Sequence, residues 1–152
     1  MIRTTKEGRP SLGRLGEDAA ARHLAARGYR IVARNVRADR VEIDLIVRRG
    51  GVLAFVEVKS RRGAGHGQAA EAVDPRKQRR LRHGARAWLA SRPTEATGVI
   101  QHRFDVVTCI LMDGKLLEGR LLETSLLEAG SRNTTSAPDG ARWSIEHWES
   151  AF

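Results

Sequence analysis

The chain has 152 residues, with 27 Lys or Arg against 18 Asp or Glu, a formal charge of +9 and a pI near 11.1. That length suits one domain with a sizeable core, and a field of this sign attracts polyanions such as nucleic acid. No run approaches the roughly 20 apolar residues of a membrane span, Met1 to Pro10 lacks the apolar core of a secretory leader, and the lone Cys109 excludes an internal disulfide and any multi-cysteine zinc site.

A cytoplasmic protein is the default expectation. Residues 1–12 read as a flexible N-terminus. Gly13 to Gly28 follows as a helix, rich in Ala and Leu and stopped by Gly28. Three strands are expected next, over Tyr29 to Val36, Val41 to Val47 and Val52 to Lys59, and Ser60 to Ala70 reads as a glycine-rich, mobile loop. Asp74-Pro75 starts a second helix, with Asp as N-cap and Pro at the first helical position; it runs to about Ser91 and is closed off by Pro93. Arg103 to Leu111 is a strand holding Cys109 as a buried, inert thiol, and Asp113-Gly114 turns it into a weaker strand over Lys115 to Leu122. Residues 128–141 read as a linker or disordered segment, since Ser131 to Gly140 lacks core-forming side chains. Residues 142–152 regain Trp143, Ile145, Trp148 and Phe152, enough apolar surface to dock on the body. The order of helix, three strands, helix and two strands assigns residues 13–127 to one α/β domain with a mixed sheet.

Two short pieces carry the chemistry: Val41-Glu42-Ile43-Asp44 and Phe55-Val56-Glu57-Val58-Lys59. Alternation puts Glu57 and Lys59 on one face of their strand, opposite Val56 and Val58. Arg48-Arg49-Gly50-Gly51 between the pieces is a hairpin turn, and any two-residue loop there pairs positions of opposite parity. Asp44 and Glu57 then share a face, directly opposite with Gly50-Gly51 at the tip and diagonal with Arg49-Gly50. Two carboxylates and a lysine on one sheet face describe a divalent-metal phosphodiesterase site. Magnesium, or manganese in its place, takes few oxygen ligands and keeps water. Asp44, Glu57 and the Val58 carbonyl suit it, while Lys59 orients the attacking water or stabilises developing charge. Glu-x-Lys alone is also common as a surface pair, so the weight rests on the combination. Glu17 lies in line with Ala20, Ala21 and Leu24, so it is either a further metal ligand or a first-turn acid favoured by the helix dipole.

From Lys59 to Arg86 there are nine basic side chains against two acidic, net +7. Arg61, Arg62, Arg76, Lys77, Arg79 and Arg80 are expected to contact nucleic-acid phosphates, which gives affinity without reading sequence. Lys77 aligns with Leu81, Gly84 and Trp88, so it is also placed to face inward toward the site. The five histidines show no zinc-ligand spacing.

These residues carry a resemblance. Gly16-Glu17 with Ala19 to Leu24, Gly28-Tyr29, Arg34-Asn35, Glu42-Ile43-Asp44, Phe55 to Lys59, Lys77, Arg103 to Val107, Ile145-Glu146-His147 and Ala151-Phe152 together resemble the YraN / UPF0102 family. That family is similar to the Holliday-junction-resolvase branch of the restriction-endonuclease-like superfamily. The resemblance implies a mixed sheet core flanked by helices, with Asp44, Glu57 and Lys59 as the motif triad and Glu17 as the helix acid. Two departures stand out: Val41 where the family usually has Gly, and the insertion from Ser131 to Gly140.

The leading expectation is therefore a magnesium-dependent DNA endonuclease of the PD-(D/E)xK type acting on branched or structured DNA in repair or recombination. Paired cuts at a junction imply a homodimer. A nucleic-acid-binding accessory protein that cleaves slowly or not at all is the alternative. A basic protein that binds ribosomes or an anionic membrane surface is the second.

Overall fold

The computed structural model describes residues 10–63, 73–112, 133–136 and 141–152. Helix α1 spans Leu12–Ala26; Ser11 caps it by accepting from the Arg14 N–H at 3.3 Å, and Gly28 follows it in the left-handed region at φ +84°. Helix α2 spans Pro75–Ser91, where Asp74 accepts from the Lys77 N–H at 2.9 Å and Pro75 occupies the position that needs no donor. The strands are β1 (Arg30–Ala38), β2 (Val41–Arg49), β3 (Val52–Arg62), β4 (Gln101–Met112), β5 (Asn133–Ser136) and β6 (Arg142–Trp148). They form one sheet in the order β1-β2-β3-β4-β6-β5, in which only the β3–β4 pairing is parallel. A parallel pair needs a crossover, and α2 supplies it.

One helix packs on each face, the α/β arrangement with a mixed sheet that the sequence implies. Ala19, Ala20 and Leu24 of α1 lie over Leu45, Val47, Ala54, Val56, Val107, Cys109, Trp143 and Ile145. Leu81, Ala85 and Trp88 of α2 lie over Ile43, Ile46, Leu53, Phe55 and Val106. Strand β3 is central and covered on both sides, which is why Leu53-Ala54-Phe55-Val56 is apolar without interruption. Val41 buries its side chain under α2; a Cβ on Gly84 would stand 2.8 Å from the Val41 Cβ, so this close approach requires a small residue on the helix.

At the far end of the sheet lies a closed polar network on the α1 side. Asp105 is fully buried and accepts two bonds from Arg103, at 2.8 and 2.9 Å, and one from the Ser150 N–H at 3.1 Å. The His147 ring sits 2.8 Å from the same carboxylate, Arg103 also donates to the Tyr29 hydroxyl and to Glu149, and Tyr29 donates to Glu149. Burial by itself raises the carboxyl of Asp105, but the bonds from His147, Arg103 and Ser150 outweigh it and hold the group below its ordinary value. Together these six residues form a clamp that fastens the end of β6 to β4 and to Tyr29, just before β1.

One expectation is corrected, and several lie beyond the description. The segment 128–141 is not all linker, because β5 lies within it and pairs with β6 from Asn133 opposite Ile145 to Ser136 opposite Arg142. Backbone ladders need no apolar side chains, so a Thr/Ser-rich run forms a strand once a neighbour supplies the partner groups. The C-terminal segment docks as a strand of the sheet itself, antiparallel to β4. The strand expected over Lys115 to Leu122 with its Asp113-Gly114 turn, most of the N-terminus expected to be flexible and the part of the expected glycine loop beyond Gly63 lie outside the described residues.

Candidate functional site

The hairpin between β2 and β3 turns at Gly50-Gly51, with Arg49 opposite Val52 and Leu45 opposite Val56. That register brings Asp44 opposite Glu57. The ladder does not continue through the pair. Ile43 packs against α2 and Leu45 against α1, so the alternation of β2 breaks at Asp44. Strand β1 breaks at the same level: Arg34 pairs with Leu45 and Val36 with Ile43, and Asn35 between them takes φ +48°. Asn tolerates this left-handed conformation better than most residues. Freed from the ladder, the Asp44 carboxylate turns into the gap between β2 and β3. There Oδ2 accepts from the Val58 N–H at 2.7 Å, replacing the strand-to-strand bond that the break removes.

Asp44 thus stands level with Glu57, as the hairpin register expects, but does not share its face. Glu57 keeps the alternation of β3 and projects toward α2 with 7% exposure, while Asp44 lies between the faces, within electrostatic reach of Glu57, Glu17 and Lys77. Burial is the main cause that pushes the Asp44 carboxyl up to about 7; Glu57 and Glu17 push the same way, against the Val58 hydrogen bond and Lys77. Lys59 follows Glu57 by two residues, is half-buried and lies beside Thr108 of β4.

Glu17 is half-buried in the second turn of α1, beside Gly16. The contact that sets its height is tight: a Cβ on Gly16 would stand 1.8 Å from Ser60 Oγ and 2.8 Å from Ser60 Cβ. Gly16→Ala is therefore expected to lift α1 from β3, at about 1–3 kcal/mol, with partial recovery when Ser60→Gly is added. Urea denaturation of the two single variants and the double variant checks this; an unchanged midpoint for Gly16→Ala would contradict it. Cys109 packs under the same contact, its thiol 3.4 Å from the Gly16 carbonyl and pushed up to about 12 by burial, which agrees with an inert thiol.

Of the six basic residues expected to meet phosphate, Arg61, Arg62, Arg76, Arg79 and Arg80 are exposed at the end of β3 and the first turns of α2. Lys77 turns inward instead, and its Nζ pairs with Glu57 Oε1. Among the described residues, no three acidic, histidine or cysteine side chains gather closely enough to cage a metal unaided. The donor chemistry still fits a hard cation of low ligand demand, since the half-buried Asp44 and the buried Glu57 stand level with each other with Lys77 as the cation paired there. Sequence reasoning missed the break at Asn35 and Asp44; an Asn in mid-strand was the available sign.

A sequence model described as "Uncharacterised protein family UPF0102" matches residues 16–109. The chain is similar to a UPF0102 protein of Frankia casuarinae, 52% identical over 97 residues that cover 64% of this chain and 80% of the relative. It is also similar to one of Symbiobacterium thermophilum, 54% identical over 63% of this chain and 79% of the relative. A UPF0102 protein of Chlorobaculum parvum is 40% identical over 141 residues, covering 93% of this chain and 91% of the relative. Among the described residues no helix is long and apolar enough to cross a membrane.

Proposed function

The chain belongs to the uncharacterised protein family UPF0102, and from that premise we propose that it is a magnesium- or manganese-dependent DNA endonuclease of the PD-(D/E)xK type, acting on branched or structured DNA in the cytoplasm. The observation that carries this reading is a half-buried Asp44 carboxylate level with the buried Glu57 carboxylate, where β2 and β3 part. Asp44 and Glu57, with Glu17 direct or through water, are the residues that would hold the cation. When bound, it supplies an acidified water and charge relief at the phosphoryl group. Lys59, two residues after Glu57 on the same strand, would orient the nucleophile or stabilise charge on a phosphate oxygen. The Val58 N–H fixes Asp44, so the carboxylate is oriented before substrate arrives. Arg61, Arg62, Arg76, Arg79 and Arg80 hold the backbone of the DNA across the mouth of the site. Cutting both strands of a junction would require two copies of the chain.

One observation favours a second reading, a nucleic-acid-binding accessory protein that does not cleave: Lys77 already neutralises Glu57. A nicking assay with Mg2+ or Mn2+ on junction, flap and duplex DNA separates the two. The endonuclease reading expects metal-dependent cleavage that Asp44→Ala and Lys59→Ala each abolish. No cleavage of any substrate, with DNA affinity unchanged in both variants, would favour the accessory protein.

A further inference from the structure

Lys77 lies in the first turn of α2, where its backbone N–H is committed to the Asp74 cap. Its side chain crosses to β3 and pairs with Glu57. The two partners differ in freedom: the Lys77 side chain is 44% exposed, that of Glu57 only 8%. Glu57 is fixed in the sheet, whereas the four-carbon stem of Lys77 can carry its ammonium outward without moving the helix. Outward from this position lie Arg76, Arg79 and Arg80, all exposed on the same stretch of helix. An ammonium on Glu57 and a divalent cation on Glu57 compete for the same carboxylate, because each needs its lone pairs and its charge.

We propose that Lys77 is a stand-in cation and positioning residue, which holds Glu57 while the metal site is empty and, once displaced by a divalent cation, turns outward to contact a nucleic-acid phosphate. This rests on the reading of Asp44 and Glu57 as metal ligands. Metal binding and nucleic-acid binding are then coupled through one side chain: metal frees the lysine for phosphate, and phosphate draws the lysine from the carboxylate. Linkage makes the coupling reciprocal, so nucleic acid tightens metal by the factor by which metal tightens nucleic acid. A lysine that only anchored α2 to the sheet would show no such coupling.

The test uses the full chain and Mn2+ alone in isothermal titration calorimetry, with Lys77→Met, Lys77→Arg and Asp44→Asn beside the parent. Lys77→Met keeps the apolar stem and removes the competitor, so Mn2+ is expected to bind at least about threefold more tightly. Lys77→Arg keeps the charge and offers a bidentate partner, so Mn2+ binds no more tightly than to the parent. A short duplex is then titrated with and without saturating Ca2+. Lys77→Met is expected to lose at least about threefold in duplex affinity with Ca2+ present, and less than about twofold without it. Equal or weaker Mn2+ binding by Lys77→Met, with Asp44→Asn having lost it, overturns the role of Lys77 and leaves the metal site standing. Tighter binding by Lys77→Arg overturns it as well, and serves if the Met variant does not fold. Mn2+ binding undiminished in Asp44→Asn overturns the metal site itself, and this inference with it.

Discussion

Replacing Asp44 by Asn is expected to raise the melting temperature of the metal-free protein at pH 8 while removing its divalent-metal affinity. A carboxyl held at about 7 in the fold, against 3.8 as its ordinary value, binds its proton more tightly folded than unfolded. Its ionisation therefore costs stability: the cost is absent below about pH 4, grows as pH rises, and is complete above pH 7. A shift of this size corresponds to on the order of 4 kcal/mol. Asn removes the charge and can still accept from the Val58 N–H, though its amide hydrogens need partners of their own. Recovery of about 2 kcal/mol is expected, or roughly 5 °C in a domain of this length. The loss in metal affinity should exceed about a hundredfold, because even residues behind a metal's direct ligands are worth 10- to 100-fold.

The pH profile gives the sign. His23 is buried and pushed down to about 4, by burial first and then by Arg27 and His147. Its contribution is full above about 6.5 and is lost as pH falls through 4, opposite in direction to that of Asp44. The two partly cancel in the parent, so Asp44→Asn should expose a stability that rises from pH 4 to 6.5. Calorimetric scans at pH 4, 6 and 8 decide it. A variant less stable than the parent at pH 8 would show that the Asp44 charge is not a burden in the fold.

Asp105→Ala is expected to cost about 3 kcal/mol, the low end for breaking a buried ion pair, because the Arg103 guanidinium loses its bidentate partner but keeps Glu149 and the Tyr29 hydroxyl. Arg103 is only 9% exposed, and its Asp105 bonds are the bidentate ones; Tyr29 and Glu149 cannot replace them. The Ser150 N–H and the His147 ring lose the same acceptor, so the end of β6 loosens together with β4. Because the Asp105 carboxyl is held low, its stabilisation is present above about pH 3.8 and disappears as pH falls below that value. Urea denaturation at pH 7 measures the loss. A change below about 1 kcal/mol would mean that the network contributes geometry without energy.

The regular parts of this fold were legible because each has a local cause. Asp74-Pro75 marks the start of α2, Gly28 the end of α1, and the unbroken run Leu53 to Val56 marks a strand covered on both faces. The hairpin parity placed Asp44 level with Glu57, and the helical spacing of Lys77 pointed it inward. What stayed hidden depends on the meeting of two or more strands. The reversal at Asp44 needs β1 and β2 to break together, with Asn35 taking a left-handed backbone, and an Asn within the strand is the one local sign of it. The short strand β5 is hidden for a related reason, since its polar residues have no period and its ladder exists only beside β6. The clamp around Asp105 joins residues from Tyr29 to Ser150, a separation that periodicity does not reach.

The central claim is that the gap between β2 and β3 is built to receive a divalent cation. Anomalous diffraction from crystals grown with Mn2+ addresses it directly. One peak is expected within about 2.0–2.4 Å of oxygens from both Asp44 and Glu57, with the Lys77 ammonium withdrawn from Glu57. Saturating Mn2+ with no peak there, and Lys77 still seated on Glu57, would contradict it.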